Sequence, residues 1–185
     1  MTRTRRTQSE DAMTEKAGSI IVYHGSQQVV SFPQLKPARF FKDFGSGFYC
    51  IRLERQAKRW ATRFGDVGFV NEYAFTPDPS LAVKTFEGMS EQWLDFIAGC
   101  RAGKSHSFDI VEGPMANDTI FNYVQNFIDG KISRDASFGY CQNSVSECDA
   151  FLALARFKYP TNQISFNTQA ALSCLVFKRA CEVRT

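Results

Sequence analysis

Short apolar runs with strand character, interleaved with helical stripes but lacking a regular strand–helix–strand rhythm, predict a mixed α+β domain. Three observations carry that expectation. Ser19 to His24 is a compact apolar run closed by Gly25-Ser26, the form of a buried strand entering a turn. Glu54 to Phe64 puts Ala57, Trp60, Ala61 and Phe64 on one helical side and Gln56, Arg59 and Arg63 on the other. With 185 residues and 18 phenylalanines, the chain has enough apolar mass to bury one core. Residues 19–185 are therefore expected to form a single domain. Residues 1–18, rich in Thr, Ser, Glu and Arg without periodicity, read as a disordered lead-in, with Met13 an alternative start.

The remaining elements follow from local pattern. Ser31 to Lys42, with two prolines, reads as a loop, and Asp43-Phe44-Gly45-Ser46-Gly47 as a turn into a strand at Phe48 to Leu53. Val67 to Thr76 alternates as a strand ended by Pro77-Asp78-Pro79, and Leu81 to Phe86 suits another. Ser90 is placed to cap a helix whose stripe is Trp93, Leu94, Phe96 and Ile97. Phe108 to Glu112 reads as a strand stopped by Gly113-Pro114. Asn117 or Asp118 then caps a helix through Ile120, Tyr123, Val124 and Phe127 that closes at Gly130. Ser133 to Tyr159 is weakly patterned, with a helix near Val145 to Phe157. Gln163 to Phe166 reads as a strand and Thr168 to Leu175 as a capped helix.

Composition excludes several classes. A formal charge of +3, with Arg3, Arg5 and Arg6 in the lead-in, is too small to imply a nucleic-acid-binding protein. The six cysteines form no Cys-x-x-Cys, and Cys50, Cys174 and Cys181 fall in apolar stretches, so reduced structural thiols and a cytoplasmic setting are expected. Arg5-Arg6 precedes a polar, acidic stretch where an export signal needs an apolar core. No segment approaches the roughly 20 apolar residues of a membrane span. Gly45-Ser46-Gly47 leads into no Gly-Lys-Ser/Thr, so it is not a phosphate loop. Asp109, Glu112 and Asp118 lack regular spacing, and with two histidines no metal site is expected. No Gly-x-Ser-x-Gly string supports a hydrolase triad, and His106 lies in a Gly/Ser/Lys loop.

Two strings belong together: Tyr23-His24-Gly25-Ser26, and Gly47-Phe48-Tyr49 leading into the helix that carries Trp60. In this order they resemble the NAD-binding half of ADP-ribosyltransferases of the diphtheria-toxin and poly-ADP-ribose-polymerase type. A closer resemblance, over about Ile20 to Phe177, is to a bacterial family of small ADP-ribosyltransferase-like proteins, domain-of-unknown-function family 3990. Its strings here are Tyr-His-Gly-Ser at 23–26, Asp-Phe-Gly-x-Gly-Phe-Tyr at 43–49, Gln-Ala-x-x-Trp-Ala at 56–61 and Trp-Leu-Asp-Phe at 93–96. Asp-Ile-Val-x-Gly-Pro from 109 and Gln-Ile-x-Phe-x-Thr from 163 complete the set.

The resemblance implies an ADP-ribosyltransferase-like split mixed β-sheet core with flanking helices, and NAD as co-substrate in the cleft between its halves. It implies transfer of ADP-ribose to a protein or nucleic-acid acceptor with release of nicotinamide, by a toxin or effector. Some members are encoded beside a short protein, so a small antitoxin is an implied partner. Cleaving the nicotinamide–ribose bond passes through an oxocarbenium-like state. It needs a bent dinucleotide, a desolvated nicotinamide and a polar group on the ribose 2′-hydroxyl, with little proton transfer at the leaving group. Carried over residue by residue, His24 meets a ribose hydroxyl, Gly25 offers a backbone edge to the carboxamide with Ser26 beside it, Tyr49 and Trp60 clamp the ring, and Gln163 holds the 2′-hydroxyl. His24, Tyr49 and Gln163 are then the catalytic set.

Gln163 departs from the toxins, which carry a glutamate there, although the family resemblance implies that glutamine is usual. An amide accepts a hydrogen bond but bears no charge and cannot act as a base. Three alternatives stay open: a nucleophilic acceptor, participation by Glu112 or Asp118, or a non-catalytic NAD-binding or protein-interaction module. Pattern alone would make His24 a structural histidine, Trp60 a core residue and Gln163 a polar residue at a strand edge.

Overall fold

The computed structural model describes residues 18–35, 42–116, 125–133 and 162–185. Its elements in order are β1 (Ile20–Ser26), β2 (Phe48–Ile51), α1 (Glu54–Ala61), β3 (Val67–Phe75), β4 (Val83–Thr85), α2 (Glu91–Arg101), β5 (Ile110–Pro114), β6 (Asn162–Phe166), α3 (Gln169–Ser173) and β7 (Leu175–Arg184). The strands form one seven-stranded mixed sheet in the order β4-β5-β6-β2-β1-β3-β7. Within it β4 and β5 run parallel, and every other neighbouring pair is antiparallel. The architecture is thus α+β, as the strand and helix patterns predict.

One row of residues crosses this sheet and explains how distant segments meet. Gly113 stands opposite Gln163, Gln163 opposite Ile51, Ile51 opposite Tyr23, and Tyr23 opposite Glu72. Directly paired residues project to the same face, so positions far apart in sequence become neighbours on one surface. The ladder is thinnest between β1 and β2, where Tyr23↔Ile51 is the single pair. That seam lies at the sheet's centre.

The two faces bury different groups. Val22, Phe48, Tyr73, Phe75 and Phe166 pack with Leu172 of α3 on one side. On the other, Phe44, Trp93, Ile97 and Val111 gather under α2, while Ala57 and Ala61 of α1 sit on Ile51 and Val70. The Ser90 hydroxyl accepts from the Trp93 amide and caps α2, and Thr168 does the same for Ala171 in α3. Trp93 is core, with its indole N–H donating to the Pro114 carbonyl at 2.9 Å. No helix among the described residues is long and apolar enough to cross a membrane.

Several boundaries differ from the sequence reading for physical reasons. Helix α1 ends at Ala61, not Phe64, and the Phe64 ring is 81% exposed. Strand β5 runs through Gly113-Pro114, because both pair with β6. The helix expected over 168–175 stops at Ser173, and Leu175 opens β7, a ten-residue edge strand that local pattern did not announce. Residues 125–128 are helical and end at Gly130, whose φ of 68° suits glycine. The start of that helix, including Asp118, the helix expected near 145–157 and the lead-in through residue 17 lie outside the described residues.

Two glycines let α1 lie directly on the sheet. A Cβ on Gly68 would stand 2.0 Å from the Ala61 carbonyl oxygen, and one on Gly25 would stand 2.1 Å from that of Ala57. Both obstacles are backbone, which cannot swing aside. Gly68→Ala is therefore expected to cost about 1–3 kcal/mol, the usual range for overpacking, and to lower the thermal midpoint by several degrees. An unchanged unfolding midpoint would show that α1 is free to lift.

Candidate functional site

A cleft of about 600 Å³ opens on the α1 and α2 face of the sheet, within the size range of small-molecule and cofactor sites. Among the described residues, its walls include His24 and Gly25 from β1, Tyr49 and Ile51 from β2, Trp60 from α1 and Gln163 from β6. Five of the six expected site residues therefore meet in one place. Ser26 is the exception and does not line the cleft. Its hydroxyl donates to the Gln28 carbonyl and accepts from the buried Asn71 amide, which ties down the chain after β1.

Each wall residue has a local reason for its position. His24 lies at the seam between β1 and β2, where its Nδ1 contacts the Tyr49 carbonyl oxygen at 2.7 Å. A carbonyl only accepts, so Nδ1 carries the proton, and in the neutral ring Nε2 is the acceptor nitrogen. The imidazole also packs on Phe48, with centroids 4.4 Å apart. Tyr49 is fixed by its hydroxyl, which donates to the Gly45 carbonyl at 2.7 Å and accepts from the Phe44 amide at 3.0 Å. Burial pushes that phenol well above its ordinary range. The turn is held from outside by His106, whose Nε2 donates to the Phe44 carbonyl.

Trp60 is not core. It is 38% exposed on the last turn of α1, with the Arg63 guanidinium 4.7 Å from its ring centroid. Lys42 stands in the same way over Tyr49, at 4.6 Å. Both cation–aromatic pairs line the cleft. Desolvation against the tyrosine lowers the Lys42 ammonium below the usual lysine range. Cys50 borders the cleft through its backbone, but its side chain packs in the core with Val22 and Phe48 and burial pushes its thiol far up, while burial raises that of Cys100 to about 11. Neither is a thiolate near neutrality, which removes both as nucleophiles.

The cleft floor holds what sequence reasoning missed. Asp43 and Arg101 form an ion pair there, with side chains only 11% and 3% exposed. Arg101 Nε donates to Asp43 Oδ1 at 3.0 Å, and Nη2 donates to the same oxygen. Asp43 Oδ2 accepts from the Gln163 amide nitrogen at 2.9 Å and the Ala116 backbone at 3.0 Å. Asp43 belongs to the Asp-Phe-Gly-x-Gly-Phe-Tyr string, where local pattern makes it only a turn residue. Glu112, one of the carboxylates expected to assist Gln163, is not at the cleft: Arg52 grips both its oxygens at 2.7 and 2.8 Å. Asp118, the other, lies outside the described residues.

The family model described as "Protein of unknown function (DUF3990)" matches residues 20–177. The chain belongs to DUF3990. A search of curated proteins finds no significant match. The matched span takes in every cleft residue named above, from His24 to Gln163. In this DUF3990 chain the 43–49 string has a physical account. Asp43 reaches the cleft floor and Phe44 the core. Gly45 accepts from Tyr49, and Gly47 leaves room for Ser165 and Asn167, whose atoms would lie 2.1 and 2.3 Å from a Cβ there.

Tyr49→Phe keeps the ring but strips Phe44 N–H and Gly45 C=O of their partner. The expected loss is about 1–3 kcal/mol of stability, read by denaturant unfolding. A variant as stable as the parent would mean that the turn is held without the phenol.

Proposed function

We propose that this chain is an NAD-dependent ADP-ribosyltransferase, moving ADP-ribose from NAD to a protein or nucleic-acid acceptor and releasing nicotinamide. One observation carries the reading. His24, Gly25, Tyr49, Trp60 and Gln163, from four separate elements, line a single cleft of about 600 Å³ that also holds Lys42 and Arg63. Aromatic rings, a hydroxyl-binding imidazole, a buried amide and two cations are the groups a bent dinucleotide needs. The rings take the base, the cations the pyrophosphate, and the polar side chains the riboses. The thin β1–β2 seam, where His24 bridges to Tyr49, supports a split-sheet ADP-ribosyltransferase fold.

In this reading His24 Nε2 accepts from a ribose hydroxyl, Tyr49 and Trp60 bound the nicotinamide, and Gln163 accepts from the 2′-hydroxyl. Gly25 has a second task, because the space beyond its Cα is filled by α1. The same reading makes the chain a cytoplasmic toxin or effector with a small antitoxin protein as partner, on the strength of the family resemblance. Metal plays no part in it.

Titration calorimetry with NAD is expected to give one site, weakened markedly by His24→Ala and by Tyr49→Ala. Nicotinamide release on adding cell lysate then separates a transferase from a binding module of the same fold. Unchanged NAD affinity in both variants would end the reading. Fluorescence gives an independent check. NAD should quench Trp60 emission, because the indole is part-exposed at the cleft, while buried Trp93 gives a steady background. Quenching that survives in Trp60→Phe would place the reporter at Trp93 and remove the aromatic clamp.

A further inference from the structure

We propose that Asp43 is the positioning residue of this cleft. Paired with Arg101, it fixes the Gln163 amide with Nε2 turned inward and Oε1 as the acceptor for ligand. It thereby places behind the amide the negative charge that glutamine lacks. The inference rests on the NAD-cleft reading but asks a separate question: what makes a neutral side chain serviceable at position 163.

The chemistry of the donors fixes the orientation. An ionised carboxylate only accepts hydrogen bonds, so only the NH₂ end of Gln163 can face Asp43 Oδ2 across 2.9 Å. The backbone leaves little play, since Gln163 is paired on one side with Ile51 and on the other with Gly113. Asp43 is equally constrained, with Arg101 on Oδ1 and the Ala116 N–H on Oδ2. A hydrogen bond from an amide nitrogen to an anion draws electron density toward the amide oxygen. Oε1 then becomes a stronger acceptor for a ribose hydroxyl and a better partner for positive charge developing on the sugar. Glu112, engaged by Arg52, cannot do this. A glutamate at 163 would put two carboxylates in contact, and both could not stay ionised.

The arrangement predicts an exchange. In Asp43→Asn the new amide keeps its oxygen on Arg101 and turns its NH₂ toward residue 163, which also leaves the Ala116 N–H without its acceptor. Gln163 must then flip and present a donor where the ribose needs an acceptor. In Gln163→Glu the carboxylates collide. In the double variant, Asp43→Asn with Gln163→Glu, the amide now at position 43 donates to the carboxylate now at position 163. A carboxylate oxygen then faces the ligand, and one negative charge remains near Arg101. Wild type and the three variants are compared for nicotinamide release with NAD and lysate, for NAD affinity and for thermal midpoint, and wild type and Asp43→Asn, which keep glutamine at 163, also for its side-chain amide signal in ¹H–¹⁵N spectra.

Each single variant is expected to lose about tenfold or more in kcat, the scale of an orienting partner's removal, with a smaller change in KM. Gln163→Glu is also expected to gain a pH profile that falls as pH rises and the shared proton is lost. The double variant should recover most of the loss. A purely structural Asp43 would move the thermal midpoint without recovery on exchange. If Asp43→Asn fails to fold, the double variant decides: an active one supports the positioning role, and a folded, inactive one overturns it. Wild-type kcat in Asp43→Asn also overturns it. If wild type itself releases no nicotinamide, the transferase reading falls alone. The spectra then decide for Asp43, since a Gln163 amide signal unmoved by Asp43→Asn would overturn the proposal.

Discussion

A carboxylate buried against a guanidinium ties the cleft together. Asp43 sits in the turn before β2, Arg101 on the last turn of α2, Ala116 just past β5 and Gln163 on β6, and one pair of carboxylate oxygens serves all of them. Removing one partner of such a pair costs about 3–5 kcal/mol, because the other is left charged and buried. Well-packed apolar residues of like volume would stabilise the fold at least as well. The pair's value therefore lies in what it holds in place.

The second constraint is the closeness of α1. Gly25 and Gly68 remove the side chains that would keep the helix off β1 and β3, and Ala57 and Ala61 are buried in the contact. The helix cannot rise without opening that seam, so Trp60 and Arg63 are held at the cleft's edge by backbone packing. The same glycine that the NAD reading assigns to the carboxamide is needed to seat the helix. Fold and site share it.

Much of this was legible locally. The apolar run at Ser19 to His24, which falls within or beside β1 (Ile20–Ser26), the stripe of α2 and the caps at Ser90 and Thr168 are short-range signals, and the structure follows them. His24, Gly25 and Tyr49 from the two paired strings meet Gln163 in one cleft because β2 lies between β1 and β6. What could not be read was non-local. Strand β7 has Lys178, Arg179, Glu182 and Arg184 along an exposed edge, a protective pattern that carries little strand signal. Its stability comes from pairing with β3 along its length. Arg101 looks like an ordinary cation at a helix C-terminus, and its partner is 58 residues away. Ser26 and Glu112 lie outside the cleft lining, Ser26 bonded to Asn71 and Glu112 to Arg52, partners that no local pattern announces.

A crystal structure of the protein grown with NAD tests the central claim most directly. The nicotinamide is expected between Tyr49 and Trp60, the pyrophosphate near Lys42 and Arg63, and a ribose hydroxyl within hydrogen-bond reach of Gln163 Oε1. A dinucleotide bound elsewhere, or a cleft that stays empty at saturating NAD, would contradict it.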